Sequence, residues 1–119
     1  MATVFTTVGK QYVVDKLDST VSTRLEYVAW GTGAGTAVVG DTTLNTEASE
    51  SRVLGTLSQP SADTMRLVGT ITANGTKTIT NAGSFTASSG GVLGVHGDFT
   101  GIAVNLNDSI QFTIDLQIT

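Results

Sequence analysis

The sequence predicts an all-β, mainly antiparallel protein folded as a β-sandwich. Three observations carry this. The last segment, Ser109 to Thr119, alternates Ile110, Phe112, Ile114, Leu116 and Ile118 with polar residues, the period of a half-buried strand. Several short apolar runs are separated by Gly-rich or Asn-rich turns. Thr and Ser make up roughly a quarter of the chain, with 14 Gly and only 13% charged residues, whereas an average domain has about 25% charged residues. Hydroxyl-bearing residues suit exposed strand faces, and low charge suits a surface covered by other subunits.

The elements follow in order. "TTVGKQYVVDKLDS" is the one helix candidate, capped by Thr6 or Thr7, with Val13 or Val14, Leu17 and Val21 at helical spacing. Before it, residues 1–8 read either as an extended arm or as an edge strand of the chain's own sheet. "RLEYVAW" is a strand with Leu25, Tyr27 and Ala29 on one side and Trp30 as a core anchor. "DTTLNTEAS" holds a single helical turn with Asp41 as N-cap. "RVLGTLSQ" is a strand closed by Pro60, the only proline. Asn74-Gly75 lies between alternating runs and predicts a type I′ hairpin. Ser89-Gly90-Gly91 forms the tip of a second hairpin, and Asn105 to Asp108 forms a turn. The length suits one domain over residues 1–119.

Composition excludes several functions. There is no cysteine, hence no disulfide or thiol chemistry, and the single His leaves too few ligands for a typical zinc site. Net charge is −4 without a basic run, which argues against a nucleic-acid partner. No apolar run approaches the ~20 residues of a membrane span. The start lacks a signal-peptide pattern, so synthesis in a cytoplasm is expected. No cofactor is expected.

"GTAVVGDT", residues 35–42, has the glycine spacing of a phosphate-binding P-loop. Asp41 stands where the lysine belongs and would repel a phosphate. A Rossmann reading fails because the third glycine falls on Thr36 or Val38. His96 with Ser84 or Ser109 and Asp98 offers catalytic residue types, but His96-Gly97-Asp98 fits a polar turn or strand end equally well. Phe85, Phe99 and Phe112 fall in strands, which leaves few of the seven aromatics for a sugar platform. No enzyme is expected.

Four segments in order, Trp30 to Gly33, Asp41 to Glu47, Ile79 to Phe85 and Ser109 to Thr113, resemble the small β-rich structural proteins of tailed bacteriophages. The resemblance spans roughly residues 25–119 and is strongest to capsid decoration (cement) proteins. It implies a jelly-roll-like sandwich, often trimeric, on the exterior of the virion capsid. It also implies a purely mechanical role: binding between subunits of the major capsid protein and stabilising the expanded head. Tail or tail-fibre components are an alternative, and a lectin-like module is a third. The expected partner contacts are Ala2, Thr3, Val4 and Phe5 at the N-terminus. In the following loop they are Thr32, Gly33, Ala34, Gly35, Thr36, Asp41, Thr42, Leu44 and Glu47.

Overall fold

The computed structural model describes residues 1–119. The elements are β1 (Thr3–Phe5), α1 (Thr7–Leu17), β2 (Tyr27–Gly31), β3 (Val53–Leu54), β4 (Thr56–Ser61), β5 (Thr64–Thr72), β6 (Lys77–Phe85), β7 (Leu93–Val104) and β8 (Ser109–Gln117). They form two antiparallel sheets, ordered β1-β7-β6-β2-β3 and β4-β5-β8. The expected all-β sandwich is the observed class, with one short helix.

Between the sheets lie Val28, Trp30, Leu67, Ile71, Ile79 and Val104, all under 4% exposed. Trp30 is the inter-sheet anchor expected of it, and its ring meets Phe112 edge-on at 6.3 Å. Tyr27 and Ala29 point the other way, to a cluster with Leu44, Phe85 and Leu93. The larger sheet is therefore covered on both faces.

β8 alternates as its sequence predicts through Leu116, every second residue half-buried or buried, whereas Ile118 lies beyond the strand and is 55% exposed. The Gly90-Gly91 hairpin also forms, joining β6 to β7 with φ of 65° and 72° at its two glycines. Asn74-Gly75 does not make a hairpin. β5 and β6 belong to different sheets, and neither Asn74 nor Gly75 has positive φ. The segment is a crossover, as is the Asn105–Asp108 turn between β7 and β8. Pro60 does not close a strand either. β4 runs through it as a sheet edge, where a missing N–H breaks no ladder bond, and the register shifts between Ser58 and Ser61. The true hairpin here is β4–β5, turned by Ala62 and Asp63. The Asp63 carboxylate accepts from the Ser61 and Thr64 hydroxyls.

Thr6 caps α1. Its Oγ1 accepts from Gly9 N–H at 2.9 Å, and its hydroxyl donates to Leu93 O at 2.6 Å. The helix turns inward the face that carries Val13, which packs with Val21 against the cluster around Tyr12, and leaves the Val14 and Leu17 side outward. Gly9 and Tyr12 are buried, whereas Val14 is 56% and Leu17 81% exposed. Gly9 sets this phase. A Cβ there would lie 2.8 Å from Gly94 Cα and O, so only glycine lets the helix approach β7 this closely. Residues 41–49 form no helical turn. Asp41 instead closes a turn with Val38, accepting from Val38 N–H at 2.9 Å.

Candidate partner interface

The loop after β2 lies across the outer face of the five-stranded sheet. Its two ends pair with each other. Thr32 N–H donates to Thr46 O, Gly33 N–H to Asn45 O and Ala48 N–H to Trp30 O, at 2.9 to 3.0 Å. Gly31 forms a bridge with Glu47. Close approach explains the glycines: a Cβ on Gly31 would sit 2.5 Å from Asn45 O, and one on Gly33 2.6 Å from Thr46 Oγ1. Trp30 to Gly33 and Asp41 to Glu47 are therefore the two sides of one closed loop.

A bulge in β6 anchors this loop. Ile79 and Ala82 both reach the inter-sheet core although three residues apart, so the register shift between Ile79 and Asn81 absorbs the extra residue. Thr80 and Asn81 are thereby turned toward the loop. The Thr80 hydroxyl donates to Gly33 O, and the Asn81 amide donates to Asn45 O at 3.0 Å. Asn81 Oδ1 accepts from Asn45 N–H at 3.1 Å. His96, fully buried, spans the gap. Nδ1 is 2.7 Å from Asp41 Oδ2, and Nε2 is 3.0 Å from Asn81 Oδ1. Asn45 Nδ2 is the one buried side-chain polar atom without a partner.

Asp98 joins the loop to the N-terminus. It accepts from Ala37 N–H at 2.7 Å and Ala2 N–H at 3.2 Å, and lies 3.4 Å from the terminal ammonium. The Ala37 bond, chiefly, holds its carboxyl below the ordinary range, against the opposing effect of burial. Of the two readings of the N-terminus, the chain takes the edge strand: Thr3, Val4 and Phe5 pair with Gly97, His96 and Val95. The two regions expected to meet a partner are thus brought side by side.

Within the loop, Ala37 and Leu44 are buried and serve as anchors, and Asp41 is committed to His96. Ala34, Gly35, Thr36, Thr42 and Glu47 are exposed; Thr32 and Gly33 are half-buried. Gly35 alone of the loop glycines has positive φ, 134°. Sequence reasoning missed the crest itself, Val38 and Val39, which are 52% and 54% exposed. Two adjacent valines in a Gly-rich segment signal it only once the loop's path is known.

The other chemical readings do not assemble. No helix follows the glycines to offer a phosphate its N-terminus. His96 lies inside strand β7, and its ring nitrogens bond Asp41 and Asn81, not Asp98 or a serine. Ser84 Oγ accepts from Val95 N–H, and Ser109 bonds Thr72 in the other sheet. None of the seven aromatics is exposed. Glu47 is held by Arg52, whose guanidinium also stacks on Phe85 at 3.5 Å. The chain matches no protein-family model, no curated protein and no solved structure.

Proposed function

We propose that this chain is a non-enzymatic structural protein of a tailed-phage virion. In this reading it is a capsid decoration protein that binds between major capsid subunits, with the loop crest as its contact. One observation supports the site above others. Val38 and Val39 are held out to solvent on a loop whose flanks are fastened to the sheet through Asp98, Asn81 and His96. Exposed apolar side chains on a rigid support are what a partner surface requires, since little ordering entropy is then lost on binding. The resemblance of the ordered segments supplies the partner. Many equivalent copies on one shell would add their modest contacts through multivalency, and the resemblance implies a trimer as the binding form.

Cosedimentation with expanded empty shells of the parent phage tests this. Replacing Val38 and Val39 with Asp should weaken shell binding at least about tenfold, because each valine loses roughly 1 kcal/mol of burial. Its thermal unfolding should stay unchanged. Wild-type protein that ignores shells but labels tails in virions would move the assignment to a tail component.

A further inference from the structure

The three-stranded sheet has two edges of opposite character. The β4 edge is guarded by Pro60 and an irregular register. The β8 edge is not. Its nine residues hold one unbroken register with β5, from Thr64↔Gln117 to Thr72↔Ser109, and contain no proline, lysine or glycine.

The direction of its free groups follows from two bonds at its ends. Ala73 N–H donates to Asp108 O, and Ile118 N–H donates to Asp63 O. Both pairs continue the β5–β8 register, and bonded pairs alternate in an antiparallel ladder. Ile110, Phe112, Ile114 and Leu116 therefore bond to β5. Ser109, Gln111, Thr113, Asp115 and Gln117 aim their N–H and C=O groups away from it.

Beside this edge runs a groove of about 220 Å³ bordered by Phe112 and Ile114 of β8, Val95 and Phe99 of β7, and Met1 and Thr3 above. It exists because the larger sheet carries β1 beyond β7, while the smaller sheet stops at β8. One strand position is vacant beneath β1.

We propose that a single extended segment of a partner protein occupies this position as a fourth strand, bonded to the outward groups of β8. A second copy pairing through its own β8 does not suit the place. It would bring its own β7 and β1 into the space that residues 1–5 hold above the groove. The segment's inward residues would be apolar, against Phe99, Phe112 and Val95. Its outward residues would lie along Gln111, Thr113 and Asp115. Four carboxylates border the edge: Asp98 and Asp115 in the groove, and Asp63 and Asp108 at its ends. Their fixed cations are Arg66, bound to Asp115, and the N-terminus, near Asp98. A strand with Lys or Arg opposite Asp115 complements this charge. This surface is separate from the loop crest and does not depend on the shell reading.

A capped peptide, acetyl-Thr-Val-Lys-Val-Thr-Val-amide, is the probe, followed by amide hydrogen exchange. In the free protein the amides of Gln111, Thr113 and Asp115 should exchange at least about a hundredfold faster than those of Phe112 and Ile114. Peptide should slow the first set and leave the second unchanged. Glu in place of the peptide's Lys should weaken binding. Thr113→Pro should abolish binding while keeping the fold, because the N–H it removes points outward. Should that variant misfold, a peptide N-methylated on its β8-facing amides should fail to bind to wild-type protein. Peptide that leaves the odd-numbered amides unchanged, or binds Thr113→Pro as tightly, overturns the proposal. So does concentration-dependent protection of those amides without peptide, which would mean that a second copy sits there.

Discussion

Replacing Glu50 with Gln should destabilise the protein in a way that fades in acid. The Glu50 carboxylate accepts from Lys77 Nζ at 2.6 Å, from Asn74 N–H at 2.9 Å and from Trp30 Nε1–H at 2.9 Å. Its side chain is 5% exposed. Burial alone would push its pKa up, but the three donors outweigh it and bring it down to about 2, from an ordinary 4.5. At 1.36 kcal/mol per pH unit the full difference would correspond to about 3 kcal/mol. Lys77 is 15% exposed, and solvent screening leaves about 2 kcal/mol. The folded pKa lies below the unfolded one, so this stabilisation is complete above about pH 4.5 and is lost as pH falls toward 2. Glu50→Gln keeps the shape and one acceptor oxygen but leaves Lys77 without its counter-ion. At pH 7 the variant should unfold with about 2 kcal/mol less free energy than wild type. At pH 3 the gap should fall to well under half of that value. Urea unfolding followed by the fluorescence of Trp30, the only tryptophan, measures both. Other carboxylates with lowered pKa, such as Asp115, are common to both proteins and cancel in the difference. A gap that stays constant between pH 7 and pH 3, or is negligible at pH 7, would refute the argument.

Two further outcomes test the fold. Gly75→Ala should change stability by less than about 0.5 kcal/mol, because its Cβ meets nothing within 4 Å and its φ is not positive; a loss above about 1 kcal/mol in thermal unfolding would mean that a type I′ turn is present after all. Asn81→Leu should cost about 3 kcal/mol by stranding Nε2 of His96 and the Asn45 backbone N–H and C=O, and should speed amide exchange at Asn45 well beyond that at Ile79.

What the sequence disclosed was local. The alternation of β8 and the positive-φ glycines at 90 and 91 depend on neighbouring residues only, and both were legible. Asn74-Gly75 carried a true turn signal, but which sheet the next strand joins is decided by the long-range pairing of β5 with β8 and of β6 with β2 and β7. The helix face is legible only in part, for a similar reason. Hydrophobicity leaves Val13 and Val14 as alternatives; the backbone contact of Gly9 with Gly94 turns Val13 inward and leaves Val14 and Leu17 exposed. At the candidate interface, Asp41 was singled out as the wrong charge for a phosphate loop. Its partner, His96, stands 55 positions away, and nothing in either segment announces the pairing. In the sequence, Asp98 stands out only as a catalytic residue type beside His96. Its role in tying Ala2 to Ala37 required the antiparallel placement of β1 on β7.

The buried polar groups under the loop explain why its conformation is specified so closely. Leu44 and Ala37 could be buried in many arrangements, since apolar contact is weakly directional. His96 and Asn81 cannot. Each is fully enclosed, and enclosed polar atoms must find partners at fixed distances and angles or cost about 1–3 kcal/mol each. Only a loop that brings Asp41 to Nδ1 of His96 and the Asn45 backbone to Asn81 satisfies them together. The glycines at 31 and 33 act at the same point by admitting the returning strand of the loop at less than side-chain distance. The "WGTG" and "DTTLNTE" segments are thus constrained chiefly by each other. Similarity confined to them reports on loop shape. Partner specificity would lie in the residues they hold out between them, Val38 and Val39.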